Sequence, residues 1–142
     1  MTGIRQILTV DQNMENLIVL ERIIYNLNVE FSRCLSFHAV DKLLASKNFS
    51  LAIVGMSTDY AEGLMVLDQL RQNKLTVDLP VILISHPIKN EDNVINIYKK
   101  GIVDVILRPI IPEVLLAKVK LFLQFDYYKK ITDGRMNVVI KK

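Results

Sequence analysis

Short runs of aliphatic and β-branched residues alternate along the chain with stretches in which apolar side chains recur every three or four positions, and the alternation repeats five times. An almost continuous apolar run is what a strand covered on both faces requires, and the recurring pattern is the stripe of a helix lying against a sheet. Gln6 to Val10 is the first such strand, and its helix runs from about Met14 to Leu27 with Met14, Leu17, Ile18, Ile24 and Leu27 on one side. Asn13 stands ahead of that helix as an N-cap, since its side-chain oxygen can accept an otherwise unpaired first-turn amide. The second unit is Val29 to Cys34 followed by a short helix from about Ala39 to Ser46, carrying Val40, Leu43 and Leu44 inward. Leu51 to Val54 and a helix from about Gly63 to Asn73, with Leu64, Leu67 and Leu70 at helical spacing, make the third. Pro80 opens the fourth strand, Val81 to Ser85, which leads through His86 and Pro87 to a helix from about Asp92 to Lys100. Gly101 ends that helix as a left-handed cap would. Val103 to Leu107 is the fifth strand, and Pro112 sits in the first turn of a last helix reaching about Lys130, where a missing amide costs nothing.

Strand followed by helix, five times over, predicts an open doubly wound α/β domain: a five-stranded parallel sheet with helices on both faces and a long C-terminal helix. Residues 1–130 are assigned to this domain. Residues 131–142, with the turn signal Asp133-Gly134, fit a tail, a small hairpin or the start of a linker equally well. Sheets of this kind bind ligands beyond the carboxyl ends of their strands, beside the point where strand order reverses, so Asp11, Gly55, Ser85 and Arg108 are the positions to inspect.

Composition narrows the function. With 142 residues, 51% hydrophobic and 23% charged, the chain can bury one core and is neither disordered nor a multidomain enzyme. The net charge is +3, and the lysine pairs at 99–100, 129–130 and 141–142 fall at helix or chain ends, where they suit the helix dipole and form no stripe for nucleic acid. Val81 to Ile84, among the longest apolar runs, is far short of the roughly 20 residues that span a bilayer. No secretory apolar region develops before Asp11, so no membrane association and a cytoplasmic location are expected. Cys34 is the lone cysteine, and with only His38 and His86 there is no disulfide and no zinc spacing.

From about Arg5 to Phe125 the chain resembles the receiver domain of bacterial response regulators. The likeness is carried by Ile7-Leu8-Thr9-Val10-Asp11-Gln12-Asn13, by Leu51-Ala52-Ile53-Val54-Gly55 with Gly63 eight residues on, by Pro80-Val81-Ile82-Leu83-Ile84-Ser85, by Gly101, and by Leu107-Arg108-Pro109. It implies the flavodoxin-like strand order 2-1-3-4-5. It also implies a site where an acidic pair ending the first strand holds magnesium and an aspartate ending the third accepts a phosphoryl group. A Ser/Thr after the fourth strand and a lysine before proline after the fifth contact the phosphoryl oxygens. In this chain Asp11, Ser85 and Pro109 match that pattern, whereas Gln12 falls on the second acid, Gly55 on the phosphoacceptor and Arg108 on the lysine. Glycine offers no nucleophile, so no catalytic residue is assigned and an enzyme is not expected. One carboxylate of three leaves Asp11 at most a weak magnesium ligand, and no cofactor is expected. Arg108, with its fixed fork, suits pairing with Asp11. The family's aromatic switch residue falls on Val105. Plainer roles stay open: Asp11 capping the turn into the first helix, Ser85 satisfying a backbone group, Asp59 and His86 as ordinary loop residues.

With the usual chemistry absent, the last helix becomes the most informative surface. At 100° per residue, Val114, Ala117, Leu121, Phe125 and Tyr128 gather on one side and Leu115, Leu116, Val119, Phe122 and Leu123 on the other. Only one of these sides can pack on the sheet. The other is left for a partner or for the C-terminal tail. The expected function is therefore a phosphorylation-independent receiver acting as a protein-interaction or dimerisation module of two-component signalling. Its partner would be a protein, an attached output or kinase domain, or a second copy bound through Val114, Leu121, Phe125 and Tyr128. Two alternatives stand beside it: a divergent receiver still engaged in phosphotransfer, and a regulatory domain binding a small anion between Asp11, Gly55 and Arg108.

Overall fold

A computed structural model describes residues 4–45, 47–56, 60–101 and 104–132, with side chains through Gln124. The strands are β1 (Arg5–Val10), β2 (Val29–Cys34), β3 (Leu51–Gly55), β4 (Val81–Ser85) and β5 (Asp104–Leu107). Between and after them lie α1 (Met14–Ile24), α2 (Val40–Leu44), α3 (Tyr60–Gln72), α4 (Glu91–Lys99) and α5 (Pro112–Thr132). All strand pairs are parallel and the order is β2-β1-β3-β4-β5, as expected for the flavodoxin-like arrangement. The reversal point lies between β1 and β3.

Because side chains alternate across a strand, each central strand feeds two cores. Leu8 and Val10 of β1, Ala52 and Val54 of β3, and Val81 and Leu83 of β4 pack with Val40, Leu44, Val66, Leu67, Leu70 and Ile97 under α2, α3 and α4. Ile7, Leu51, Ile53, Ile82, Ile84 and Ile106 meet Leu20 and Ile24 of α1 and Leu115, Val119, Phe122 and Leu123 of α5. Full burial of each such side chain is worth roughly 1.5–3 kcal/mol, so these two layers carry most of the fold's stability. Every residue of β3 and β4 is buried, which is why both read as unbroken apolar runs.

Several expectations need correction. Met14 and Ile18 do not face the core: each is 38% exposed, and α1 buries Leu17, Leu20 and Ile24 instead. α1 packs beside α5, and Leu20 and Ile24 share one core with Leu115, Val119, Phe122 and Leu123. The helix also stops at Ile24; Tyr25–Leu27 form a tighter single turn closed by Asn28 with φ 57°. α2 is shorter than read and is entered through a tight turn at Phe37–Ala39, capped by Ser36. α3 starts at Tyr60, three residues before the expected Gly63, and its inward face is Val66, Leu67 and Leu70 with Leu64 only half-buried. Gly101 does adopt the left-handed conformation, with φ 82°. The assigned boundary after residue 130 falls within α5, whereas Ser46, Asp59, Val103 and the Asp133-Gly134 turn lie outside the described residues.

Candidate functional site

Parallel pairing brings the carboxyl ends of the strands level with one another. Val10 lies beside Val54 and Cys34, Gly55 beside Ile84, and Ser85 beside Leu107. The ladder continues one residue further: the Asp11 amide donates to the Cys34 carbonyl at 3.0 Å, the Met56 amide to Ile84 at 2.8 Å, and the Arg108 amide to Ser85 at 2.9 Å. Three side chains are thus launched from a fixed rim. The peptide between Arg108 and Pro109 is cis, and Pro109 itself is exposed.

The Asp11 carboxylate is nearly buried, and both of its oxygens accept hydrogen bonds. Its Oδ1 accepts the Asn13 amide at 2.8 Å, which fixes the turn into α1, where Asn13 caps the first-turn amides of Glu15 and Asn16. Its Oδ2 accepts Asn16 Nδ2 at 3.1 Å and Arg108 Nη2 at 3.3 Å. The side chains of Asp11 and Arg108 are only 11% and 18% exposed, so salt screens this ion pair less than one on the open surface. Both roles open to Asp11 from the sequence are filled at once, turn cap and arginine partner.

Gly55 explains how the pair fits. A Cβ at this position would stand 2.1 Å from Asp11 Oδ2 and 3.2 Å from Arg108 Nη2. Carboxylate and guanidinium therefore fill the space that any side chain at the end of β3 would need. The remaining expected residues do not join them. Ser85 is buried, but its hydroxyl donates to the His86 carbonyl at 2.8 Å, the backbone role foreseen for it. Gln12 reaches away toward α3, where its Nε2 donates to Glu62 Oε1 at 3.4 Å.

A pocket of about 620 Å³ opens over the pair, lined by Asp11, Gln12, Asn13, Met14, Asn16, Met56, His86 and Arg108. Among the described residues, Asp11 is the one carboxylate in that lining. Among the described residues no three His, Cys, Asp or Glu side chains converge as a metal site. The Asp11 oxygens already accept three N–H groups, one from a cation, so this donor set does not fit a magnesium ion. Sequence reading missed Asn16 and Met56. The signal for Met56 was Gly63, a glycine inside a helix: a Cβ there would stand 2.3 Å from the Met56 Sδ. Asn16 carried no signal, because its contact joins a strand end to a helical turn through side chains alone.

On α5, Leu115, Val119, Phe122 and Leu123 are buried and Leu116 is half-buried, so this is the side that packs on the sheet. Val114 and Leu121 face outward, 40% and 48% exposed, with Ala117 between them; the side chains of Phe125 and Tyr128 lie outside the described residues. Around the β5 edge Tyr98, Ile95, Leu107 and Ile111 are exposed as well. Between α4 and β5 runs an apolar groove of about 340 Å³ lined by Pro87, Ile88, Val94, Ile97, Tyr98, Val105 and Leu107.

A doubly wound α/β domain with polar side chains at the β1, β4 and β5 ends is the class that this fold and rim define. The sequence profile of the response regulator receiver domain matches residues 7–120, and the chain belongs to that family, the receiver domains of two-component signalling. No curated protein is similar enough to count as a relative. Among solved structures, the signal receiver domain of a putative Luxo repressor protein from Vibrio parahaemolyticus superposes with a TM-score of 0.80 at 20% identity, covering 92% of this chain and 98% of that one. A CheY-like response regulator receiver domain protein from Methanospirillum hungatei gives 0.78 at 20% identity, covering 89% and 99%. The signal receiver domain of a signal transduction histidine kinase from Syntrophus aciditrophicus gives 0.74 at 20% identity, covering 85% and 91%. Likeness at this identity speaks for the shared fold. Among the described residues, no helix is long and apolar enough to cross a membrane.

Proposed function

We propose that this receiver domain signals without phosphorylation, as a non-enzymatic protein-interaction module whose contact surface is the outward face of α5. One observation carries the reading: the Asp11 carboxylate, held by Arg108, sits where a side chain at position 55 would be. A phosphoacceptor needs a free carboxylate, and the one carboxylate among the described lining residues, Asp11, is already paired with Arg108. Arg108 neutralises Asp11 in place of a cation, so magnesium has no part in this reading.

The site then becomes a fixed tie between the ends of β1 and β5, and function passes to the surface. Val114 and Leu121 are exposed on α5, and helical spacing in the sequence puts Phe125 and Tyr128 on the same side, an apolar stripe that suits a second copy. Such a stripe is self-complementary about a two-fold axis, the symmetry most homo-oligomers adopt. The same stripe suits a helix of a kinase or output domain in a longer signalling protein, a setting that the Syntrophus aciditrophicus receiver illustrates. Treatment with acetyl phosphate and magnesium, read by intact mass, is expected to leave the protein unmodified while sedimentation reports a dimer at high micromolar concentration. Gain of one phosphoryl group per chain would instead establish the divergent, phosphotransferring receiver.

A further inference from the structure

α4 is nine residues long, shorter than the roughly 12–15 residues at which an isolated helix becomes even marginally stable, and Ile97 is its one fully buried residue. Apolar contact has no direction, so such a helix could roll or slide on the sheet unless something else held it. Polar links to α3 do so. At the first turn of α4 the Asn93 carbonyl accepts the Tyr60 hydroxyl, from the start of α3, at 2.9 Å. At the other end Lys100 Nζ meets Asp68 Oδ1 at 2.6 Å. Arg71, one turn beyond Asp68, donates from Nε to the Lys100 carbonyl at 2.9 Å and from Nη2 to the Gly101 carbonyl at 2.5 Å.

These two carbonyls belong to the end of α4, where acceptors lack partners within the helix and a cation suits the dipole. The same guanidinium donates from Nη1 to Thr76 at 3.1 Å and Leu79 at 2.8 Å, tying the loop before β4 into the same fork. Gly101 permits the approach. Its φ of 82° favours glycine, and a Cβ there would stand 3.3 Å from Arg71 Nε. On β5, the half-buried Val105 packs against the core beneath α4 with the restricted rotamers of a β-branched side chain.

We infer that α4 is clamped to α3 at both ends by Tyr60, Asp68 and Arg71, so that the α4–β5 surface and its groove hold a single conformation. The clamp goes beyond the proposed function and does not depend on it, since these contacts lie outside the strand-end pocket. Amide hydrogen exchange and microsecond-to-millisecond relaxation dispersion on the full chain test it. In the wild type, the Ile97 and Tyr98 amides are expected to exchange within about tenfold of the β3 amides and to show no dispersion. Tyr60→Phe, which keeps the ring and removes one donor, is expected to speed exchange across α4 about tenfold while β3 is unchanged. Arg71→Gln should do the same at the carboxyl end of α4. Dispersion confined to α4 in the wild type would overturn the clamp, and so would variants that accelerate exchange equally in α4 and β3.

Discussion

Substituting Gly55 by alanine adds one methyl group, and the structure states what it meets. The new Cβ would lie 2.1 Å from Asp11 Oδ2, well inside contact distance, with the Arg108 guanidinium behind it at 3.2 Å. β3 is a central strand whose backbone is paired on both sides, so the carboxylate must give way. Moving it breaks the pair with Arg108 and strains the hydrogen bonds from Asn13 and Asn16. Disrupting a buried ion pair costs roughly 3–5 kcal/mol, and the partial exposure of these two side chains brings that to about 2–3 kcal/mol. Alanine in a strand interior recovers roughly 0.5–1 kcal/mol of backbone entropy relative to glycine. Gly55→Ala should therefore lose about 2 kcal/mol, a fall in Tm of about 8 °C for a domain of this size. In an Asp11→Ala background the obstacle is gone and Arg108 is free to swing outward. There the same methyl should be neutral or stabilise by about 0.5 kcal/mol, a change of sign. Urea unfolding of the four proteins measures both effects. Equal destabilisation by Gly55→Ala in the two backgrounds would refute the reasoning, as would a neutral effect in the wild type.

Other outcomes follow from the same contacts. Arg108→Ala and Asp11→Ala should couple by about 1–2 kcal/mol in a double-mutant cycle of unfolding free energies, whereas independent costs would mean that the pair contributes nothing. Burial pushes the Cys34 thiol above its ordinary range, against a smaller opposing effect of a backbone hydrogen bond with Ser36. Its thiolate is therefore scarce at pH 8, and labelling by a disulfide reagent should be slow until urea unfolds the chain; immediate labelling would contradict that burial. Leu121→Glu, at an exposed site on α5, should give a folded monomer in sedimentation analysis, and an unchanged dimer would move the contact surface elsewhere.

The sheet was the legible part of this molecule. β2 and β4 begin and end where the pattern placed them, because Asn28 and Pro80 mark their starts, and the unbroken apolar run Val81 to Ile84 marks the length of β4. The strand-end positions were legible too, since parallel register follows from strand order. Which arc of α1 turns inward was not, because its apolar residues cover more than one face: Leu20 is buried while Ile18 is exposed. Arg71 went unseen for a different reason: its partners are backbone carbonyls of two loops, and carbonyls leave no trace in a sequence. Burial lowers the pKa of this arginine from its ordinary value, with Asp78 opposing, yet nothing in the residue pattern of α3 separates it from a solvated helix-end cation. Gly55 carried the clearest message. In a run of aliphatic residues ending at a functional rim, a glycine implies that something else occupies the space, and that something is Asp11.

The most direct measurement of the central claim is the amide spectrum of the isotopically labelled domain as magnesium and then acetyl phosphate are added. The Asp11–Arg108 tie predicts that the resonances of Asp11, Gly55, Met56, Ser85 and Arg108 stay where they are at every step. Saturable shifts at these rim residues with magnesium, or a second set of signals that appears with acetyl phosphate and decays with time, would show a working phosphoacceptor site and contradict the account.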